Sequence, residues 1–300
     1  INDIDTARNY YKKAIEINNN YAPALTNLGI IELAKGKKEE ALSLLLKATK
    51  SDPKLLPAWG NLATAYLKLQ KTQEAEESIC KAIEINPNIY SSHLLFATIL
   101  MTQNKLREAE GPLQQVLILK PDCTEAYINL GTVLKGLGKL QEAESYLRKA
   151  IVLNPNLSNS HYLLASILIN LNKPLDAEVS LRKSIELNPD CSESYYMLGN
   201  IYKNNEKLEE SKKYLLKAIE IKPHWKTYYI YASCLFEENE LALAKQNILK
   251  AIDENNKSFN NYKSLKDEKE KNILDAALKA INSAKNKENI LNNQDFERTI

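Results

Sequence analysis

A period of 34 residues governs this sequence and restricts the folds that it can adopt. Six prolines mark the period at equal spacing: Pro53, Pro87, Pro121, Pro155, Pro189 and Pro223. A small residue precedes each of these prolines by 12 residues, as Ala41, Ala75, Ala109, Ala143, Ala177 and Ser211 show, and Ala7 precedes Asn19, which holds the same position, by the same distance. A fixed period of this length indicates one structural unit that is repeated and stacked on its neighbours, instead of a single globular core.

Each period predicts a pair of helices. In the repeat that starts near residue 124, apolar residues from Tyr127 to Leu134 follow helical spacing, and Gly138 ends this first helix. Other repeats carry Gly36, Asn104, Asn172 or Glu206 at the same position. A second helix turns Ala143 and Leu147 inward and ends before Pro155, because the residue preceding proline avoids the helical region. We expect the small residues to lie where two helix backbones approach closely.

Composition excludes several function classes. The 40 basic and 38 acidic residues leave a net charge of +2, which does not predict a nucleic acid partner. The four cysteines form no CxxC pair, and no nucleotide-binding or hydrolase motif occurs, so we predict no metal, no cofactor and no catalysis. No apolar run is long enough for a membrane span, and free thiols suit a reducing interior. We therefore predict a cytoplasmic protein.

The repeated positions resemble the tetratricopeptide repeat. Its first signature, an aromatic residue followed by Leu-Gly and then Tyr, appears twice in close form. The matching residues are Tyr195, Leu198, Gly199 and Tyr202 in one repeat, and Trp59, Leu62, Ala63 and Tyr66 in another. The resemblance covers about residues 1–257 and implies an all-α fold, a right-handed α-α superhelix of stacked antiparallel helix pairs. Pentatricopeptide repeats, which bind RNA, have a similar length, but the alanine and proline spacing and the near-zero charge favour the tetratricopeptide family.

The period also predicts the domain organisation. Residues 1–21 form a partial repeat, and repeats start near 22, 56, 90, 124, 158, 192 and 226. The last repeat is one residue short. Pro112 falls inside a second helix, where we expect a local bend. Residues 258–285 form a capping helix region with Ile273, Leu274, Ala277, Leu278 and Ile281 on one stripe, and residues 286–300 form a tail or linker. The chain starts with Ile and lacks the partner helix of residues 1–21, so we expect a fragment or a processed chain.

The resemblance implies that positions 2, 5, 6, 9, 12 and 13 of each repeat line the concave face. The candidate peptide-binding residues at positions 5, 6 and 9 are small polar or aromatic: Asn27, Asn61, Thr64, Thr98, Asn129, Thr132, Tyr162, Ser166, Tyr196 and Asn200. In the seventh repeat Tyr231 and Cys234 take positions 6 and 9. The asparagines are similar to the asparagine ladder of the repeat domain of O-GlcNAc transferases, which grips substrate peptides. The alternative is that these side chains are only small, soluble fillers.

A second subfamily pattern is missing. Chaperone-binding members hold a C-terminal carboxylate with basic residues at positions 2, 5 and 6. Position 2 of this chain carries no base, and Thr227 takes it in the seventh repeat. We therefore predict no binding to chaperone tails.

These observations lead to a protein-interaction scaffold that binds a peptide or protein on its concave face and is not itself an enzyme. The alternative is a substrate-docking arm of a larger enzyme, such as a glycosyltransferase, sulfotransferase or oxygenase, with its catalytic domain outside this chain. A further hypothesis is a homodimer through the N-terminal edge at Ala7, Tyr11, Ala14 and Ile15.

Overall fold

The computed structural model describes residues 2–259 and 272–284, and every regular element among them is an α-helix. The chain divides into two compact units, Ile1–Pro155 and Asn156–Ile300. The first unit contains α1 (Asn2–Ile17), α2 (Ala22–Ala34), α3 (Lys38–Ser51), α4 (Leu56–Lys68), α5 (Thr72–Ile85), α6 (Tyr90–Thr102), α7 (Leu106–Leu119), α8 (Thr124–Gly136) and α9 (Leu140–Leu153). The second contains α10 (Ser158–Asn170), α11 (Pro174–Leu187), α12 (Ser192–Asn204), α13 (Leu208–Ile221), α14 (Trp225–Glu237), α15 (Leu241–Phe259) and α16 (272–284).

Helices pack in sequential pairs within each unit. We call α2, α4, α6, α8, α10, α12 and α14 the first helices, and the helix that follows each of them the second helix. Each first helix packs against the second helix of its own pair and against the helix before it within the same unit. First helices of adjacent pairs also touch, α2 with α4 and α4 with α6, and likewise α10 with α12 and α12 with α14. The predicted all-α solenoid of helix pairs is confirmed.

Small residues permit the close approach inside each pair. A Cβ built on Gly131 of α8 would lie 2.7 Å from Cγ of Leu147 in α9, which is closer than real Cβ contacts. The same conflict arises between Gly29 and Leu45 at 2.8 Å and between Gly199 and Leu215 at 2.6 Å. The leucine of the second helix therefore fills the space that a side chain on the first helix would need.

A left-handed residue ends the first helices. Gly36 and Gly138 have φ values of 79° and 78°, and the predicted Asn104, Asn172 and Glu206 also have positive φ. Two further residues that were not predicted share this conformation, Gln70 with φ of 62° and Asn239 with φ of 63°. The backbone turns at these points because the amide of the next residue bonds back into the helix, as Lys139 N does to Leu134 O at 2.9 Å.

The missing residue of the seventh repeat lies in a linker. Four residues separate α11 from α12, whereas only residues 222–224 separate α13 from α14. The first helix of this repeat therefore begins at Trp225. Thr227, which is 3% exposed, occupies the buried position that Ala126, Ser160 and Ser194 hold in other repeats. Ile230 and Ser233 consequently take positions 6 and 9, which the sequence analysis had assigned to Tyr231 and Cys234.

The helix α16 packs on the last pair of the second unit. Ile281 joins a cluster with Leu235 and Ile248, and Leu274 joins one with Trp225 and Ala251. Ala277 and Leu278 are partly buried there, as the predicted stripe requires. Ile273 is an exception, because it is 40% exposed. Residues 260–271 and 285 of the predicted cap, and the whole tail at 286–300, lie outside the described residues.

Pro112 does not interrupt its helix. It lies inside α7, which continues to Leu119, and its neighbour Leu113 is fully buried. The predicted bend at this position stays a prediction.

Candidate functional site

The predicted residues of the first unit lie on its first helices and are half-buried. Asn27 lies on α2, Asn61 and Thr64 on α4, Thr98 on α6, and Asn129 and Thr132 on α8. Hydroxyls and amides here should be able to donate and accept hydrogen bonds.

The structure shows that several of these donors are already used. The hydroxyls of Thr64, Thr98 and Thr132 donate to the carbonyl four residues earlier, at 3.0, 2.9 and 3.0 Å. The amide of Asn61 does the same to Pro57 O at 2.8 Å. Such local bonds satisfy the polar group inside its own helix. The threonines therefore present oxygen lone pairs to a ligand, because their hydroxyl donors are engaged within the helix.

In the second unit the predicted residues separate into two kinds. Ser166 is buried and Asn200 is half-buried, whereas Tyr162 of α10 and Tyr196 of α12 border open space. The two tyrosines line one cleft of about 390 Å³. Its walls also include Ser192, Glu193, Met197, Lys222, His224, Lys226 and Thr227. We call this set the tyrosine cleft.

Both tyrosine rings are largely packed, but their hydroxyls are not engaged. Burial raises the pKa of Tyr162 and of Tyr196, so both phenols are neutral donors at physiological pH. Within the described part of the chain neither hydroxyl has a hydrogen-bond partner, whereas the hydroxyl of Tyr202 on the same helix donates to Glu178 at 2.6 Å. A phenol that is mostly buried usually finds a partner. The tyrosine cleft therefore offers two hydrogen-bond donors to a ligand.

Basic groups form one side of the tyrosine cleft. Lys222 and His224 come from the short linker before α14, and Lys226 from its first turn. One acid, Glu193, lies 4.0 Å from Lys222 and is exposed. His224 Nδ1 accepts a hydrogen bond from Lys226 N at 3.2 Å, which holds the imidazole at the start of the helix. The site combines tyrosine donors with positive charge.

The corrected start of the seventh repeat explains why the sequence analysis missed these basic residues. Counted from Trp225, position 2 is Lys226 and not Thr227. The statement that position 2 carries no base is therefore wrong for this repeat. Lys222 and His224 lie in the linker, outside the positions that were considered, and the one-residue deletion was the available signal.

The histidines at position 4 of the repeats have a structural role in at least one case. His93 Nε2 lies 2.7 Å from Pro87 O, and Trp59 Nε1 donates to Pro53 O at 2.9 Å in the equivalent place.

The four cysteines are unpaired. Among the described residues no group of three His, Cys, Asp or Glu side chains could hold a metal ion.

The N-terminal edge that was predicted to mediate a homodimer is not fully exposed. Ala7, Tyr11, Ala14 and Ile15 are half-buried, because α1 packs on α2. Ala7 and Tyr11 line a groove with Asn27 and Ile30, so Asn27 belongs to this groove. The exposed large apolar residues of α1 are Ile4, Tyr10 and Ile17.

None of the described helices has the length and apolar character needed to cross a membrane.

Solved structures share this fold. The chain is 22% identical to the Pseudomonas aeruginosa protein pilF, over 74% of this chain and 94% of that one, with a TM-score of 0.60. It is 23% identical to YrrB, described as a tetratricopeptide repeat protein with an unusual peptide-binding site, over 61% and 95% of the two chains, with a TM-score of 0.53. The match to the Cut9-Hcn1 structure is 17% identical, covers 77% of this chain and 46% of that one, and has a TM-score of 0.65.

Family models cover most of the chain. No curated protein matches it. Residues 192–224 match a model described as a tetratricopeptide repeat. Residues 1–195, well over half of the chain, match the model of the Cilia and flagella-associated protein 70 C-terminal domain. The chain therefore belongs to this family of tetratricopeptide repeat domains.

Proposed function

We propose that this protein is an interaction scaffold that binds an acidic peptide segment of a partner protein in the tyrosine cleft. Stacked helix repeats present extended surfaces that suit another chain. The structural relative YrrB, with its peptide-binding site, supports a peptide as the ligand. The main observation behind the proposal is that two tyrosine hydroxyls without hydrogen-bond partners lie next to three basic residues.

The chemistry of the tyrosine cleft favours a carboxylate. The hydroxyls of Tyr162 and Tyr196 donate to an oxygen, and Lys222 and Lys226 supply positive charge at the same opening. Charge-assisted hydrogen bonds of this kind are about twice as strong as neutral ones. The rings and Met197 give the apolar contact that the methylene groups of a peptide require. We further propose a cytoplasmic location, because four unpaired cysteines suit a reducing compartment.

The test uses fluorescein-labelled peptides in fluorescence polarisation, with an array of acidic sequences beside copies in which each Asp or Glu becomes Asn or Gln. We expect binding by acidic members that weakens with added salt. Tyr196→Phe removes only one hydroxyl, and we expect it to weaken binding by about tenfold, the loss of one hydrogen bond to a charged group. Lys226→Gln should weaken binding and reduce its salt dependence.

Tyr195→Phe is the matched control. Tyr195 is the neighbour of Tyr196 on α12, but its ring packs against Tyr214 with centroids 6.4 Å apart and does not line the tyrosine cleft. The Tyr195→Phe variant should therefore leave peptide binding unchanged. Equal affinity for acidic and amide peptides, or equal effects of the two phenylalanine variants, would contradict the proposal.

A further inference from the structure

The outer faces of the second helices carry a repeated ion pair. A lysine near the end of the helix pairs with an acid three residues later, and both side chains are exposed to solvent. The nitrogen–oxygen distances are 2.8 Å for Lys81–Glu84, 2.6 Å for Lys183–Glu186 and 2.9 Å for Lys217–Glu220. The repeat thus defines one surface position at which a charged residue is expected.

Two consecutive second helices break this pattern. The acid position is Ile118 in α7 and Val152 in α9, and these side chains are 71% and 82% exposed. The lysine position is Gln115 in α7. In α9 it is Lys149, whose Nζ lies 5.7 Å from the centroid of the Tyr146 ring instead of beside an acid. Both helices belong to the first unit.

Local stability does not explain the two substitutions. Isoleucine and valine have lower helix propensity than glutamate, and in α9 the valine also leaves Lys149 without the acid of the i,i+3 ion pair. At this exposure neither side chain gains appreciable free energy by burial within the chain. A side chain that weakens its own helix in two adjacent repeats is better explained by burial against another molecule.

A groove adjoins Val152. It has a volume of about 400 Å³ and runs between the linker after α7, the start of α8 and the end of α9. Its lining residues are Pro121, Tyr127, Ser145, Arg148, Lys149, Val152 and Leu153. The Tyr127 ring packs against Tyr146 with centroids 6.0 Å apart, so this wall is held in place. We call Ile118, Pro121, Tyr127, Val152 and Leu153 the outer apolar surface.

Two basic side chains border the outer apolar surface beside Val152. Arg148 and Lys149 line the groove and are exposed. Glu144 pairs with Arg148 at 2.8 Å but is itself largely buried. The two positions at which α5, α11 and α13 place an exposed acid are apolar here. An occupant therefore meets an apolar strip beside two cations, which favours a ligand with aliphatic and acidic side chains.

We propose that the outer apolar surface docks an amphipathic acidic segment of a partner protein. Its aliphatic side chains bury Ile118 and Val152, and its carboxylates meet Arg148 and Lys149. This contact is separate from the tyrosine cleft, which lies in the second unit, so one chain can hold two different ligands.

The test measures fluorescence polarisation of a labelled helical peptide with leucines at i, i+3, i+4 and i+7 and glutamates beside them. An otherwise identical peptide with lysines in place of the glutamates is the charge control. We expect the protein to bind the glutamate peptide and to prefer it over the lysine peptide. The double variant Ile118→Glu, Val152→Glu, which introduces the acid found in α5, α11 and α13, should bind at least about tenfold more weakly. Its thermal melting temperature should not fall, which separates lost docking from lost folding.

The matched control is the double variant Glu84→Gln, Glu186→Gln, which changes the equivalent positions of two other second helices and should bind like the parent chain. Tyr196→Phe should also bind normally, so this result is independent of the tyrosine cleft. Failure to bind either peptide, or unchanged affinity in the Ile118→Glu, Val152→Glu variant, would overturn the proposal. The proposal would also be overturned if the parent chain sedimented as a dimer and the Ile118→Glu, Val152→Glu variant as a monomer. A second copy of the chain would then cover the outer apolar surface.

Discussion

The hydroxyl of Tyr202 in α12 donates a hydrogen bond to Oε1 of Glu178 in α11 at 2.6 Å. Arg182 Nη2 donates to the same hydroxyl at 2.5 Å and pairs with Glu178 at 2.9 Å. The Tyr202 ring stacks on Tyr214 with centroids 5.4 Å apart. These contacts join two adjacent helix pairs of the second unit. The hydrogen bond from Tyr202, followed by the bond from Arg182, lowers the pKa of Glu178.

This network makes part of the stability depend on pH. Because the pKa of Glu178 is lower in the folded chain, its stabilisation is complete above the ordinary glutamate pKa of about 4.3 and is lost as pH falls through the folded value. Tyr202→Phe should lower the unfolding free energy by about 1–2 kcal/mol at neutral pH and by less near pH ~3. The loss of stability is measured from melting temperatures at both pH values, with Tyr195→Phe as the control. A penalty that is the same at both pH values would refute the assignment.

The close approach of helices predicts a steric limit at Gly131. Gly131→Val should lower stability by about 1–3 kcal/mol, because its side chain would overlap Leu147, which is fully buried. Gly60 is the control, since a Cβ there meets nothing within 4 Å. Gly60→Ala should raise stability by about 1 kcal/mol through helix propensity alone. Thermal denaturation followed by circular dichroism measures both changes, and a harmless Gly131→Val would show that the pair can separate.

At the left-handed positions, adding a glycine and removing one should change stability in opposite directions. Glu206 has φ of 59°, and Glu206→Gly should raise stability by about 0.5–1 kcal/mol, since glycine adopts this conformation without steric cost. Gly138 has φ of 78°, and Gly138→Ala should lower stability by about 1 kcal/mol. Melting temperatures report both signs. Changes of the same sign in the two variants would contradict the role of this position.

Adjacent residues of α16 provide a test of its packing. Leu274 is 1% exposed and contacts Trp225 and Ala251, so Leu274→Ala should lower stability by about 2–4 kcal/mol. Ile273→Ala should change it by less than about 0.5 kcal/mol, because Ile273 lies largely in solvent. In a Trp59→Phe background, the emission of Trp225, followed during urea unfolding, reports on this part of the chain. Equal losses from the two alanine variants would mean that α16 packs through a different face.

The sequence predicts the helix pairs well because several independent signals share one period. Small residues, left-handed residues and prolines all recur in phase, so an error at one position is corrected by the others. Gln70 escaped notice because glutamine does not signal a left-handed turn, and Asn239 because the one-residue deletion places it out of phase with Glu206.

The site was harder to predict than the fold. Tyr162 and Tyr196 were found by their positions in the repeat, and the structure places them in one cleft. Lys222 and Lys226 were missed, because the location of the one-residue deletion decides which side chains reach that cleft. The internal hydrogen bonds of the threonines were also not anticipated, since sequence spacing does not show where a hydroxyl donates.

The three-residue linker at 222–224 shows where this chain tolerates a change of length. Removing one residue from a helix interior would rotate every later side chain by about 100° around the axis and turn core positions such as Ala244 towards solvent. Removing it between helix pairs leaves α14 and α15 with their own periodicity intact, as the burial of Thr227 and Ala244 demonstrates. Insertions and deletions can therefore accumulate at these junctions without loss of the stack, and a junction is the place at which a foreign loop could be grafted.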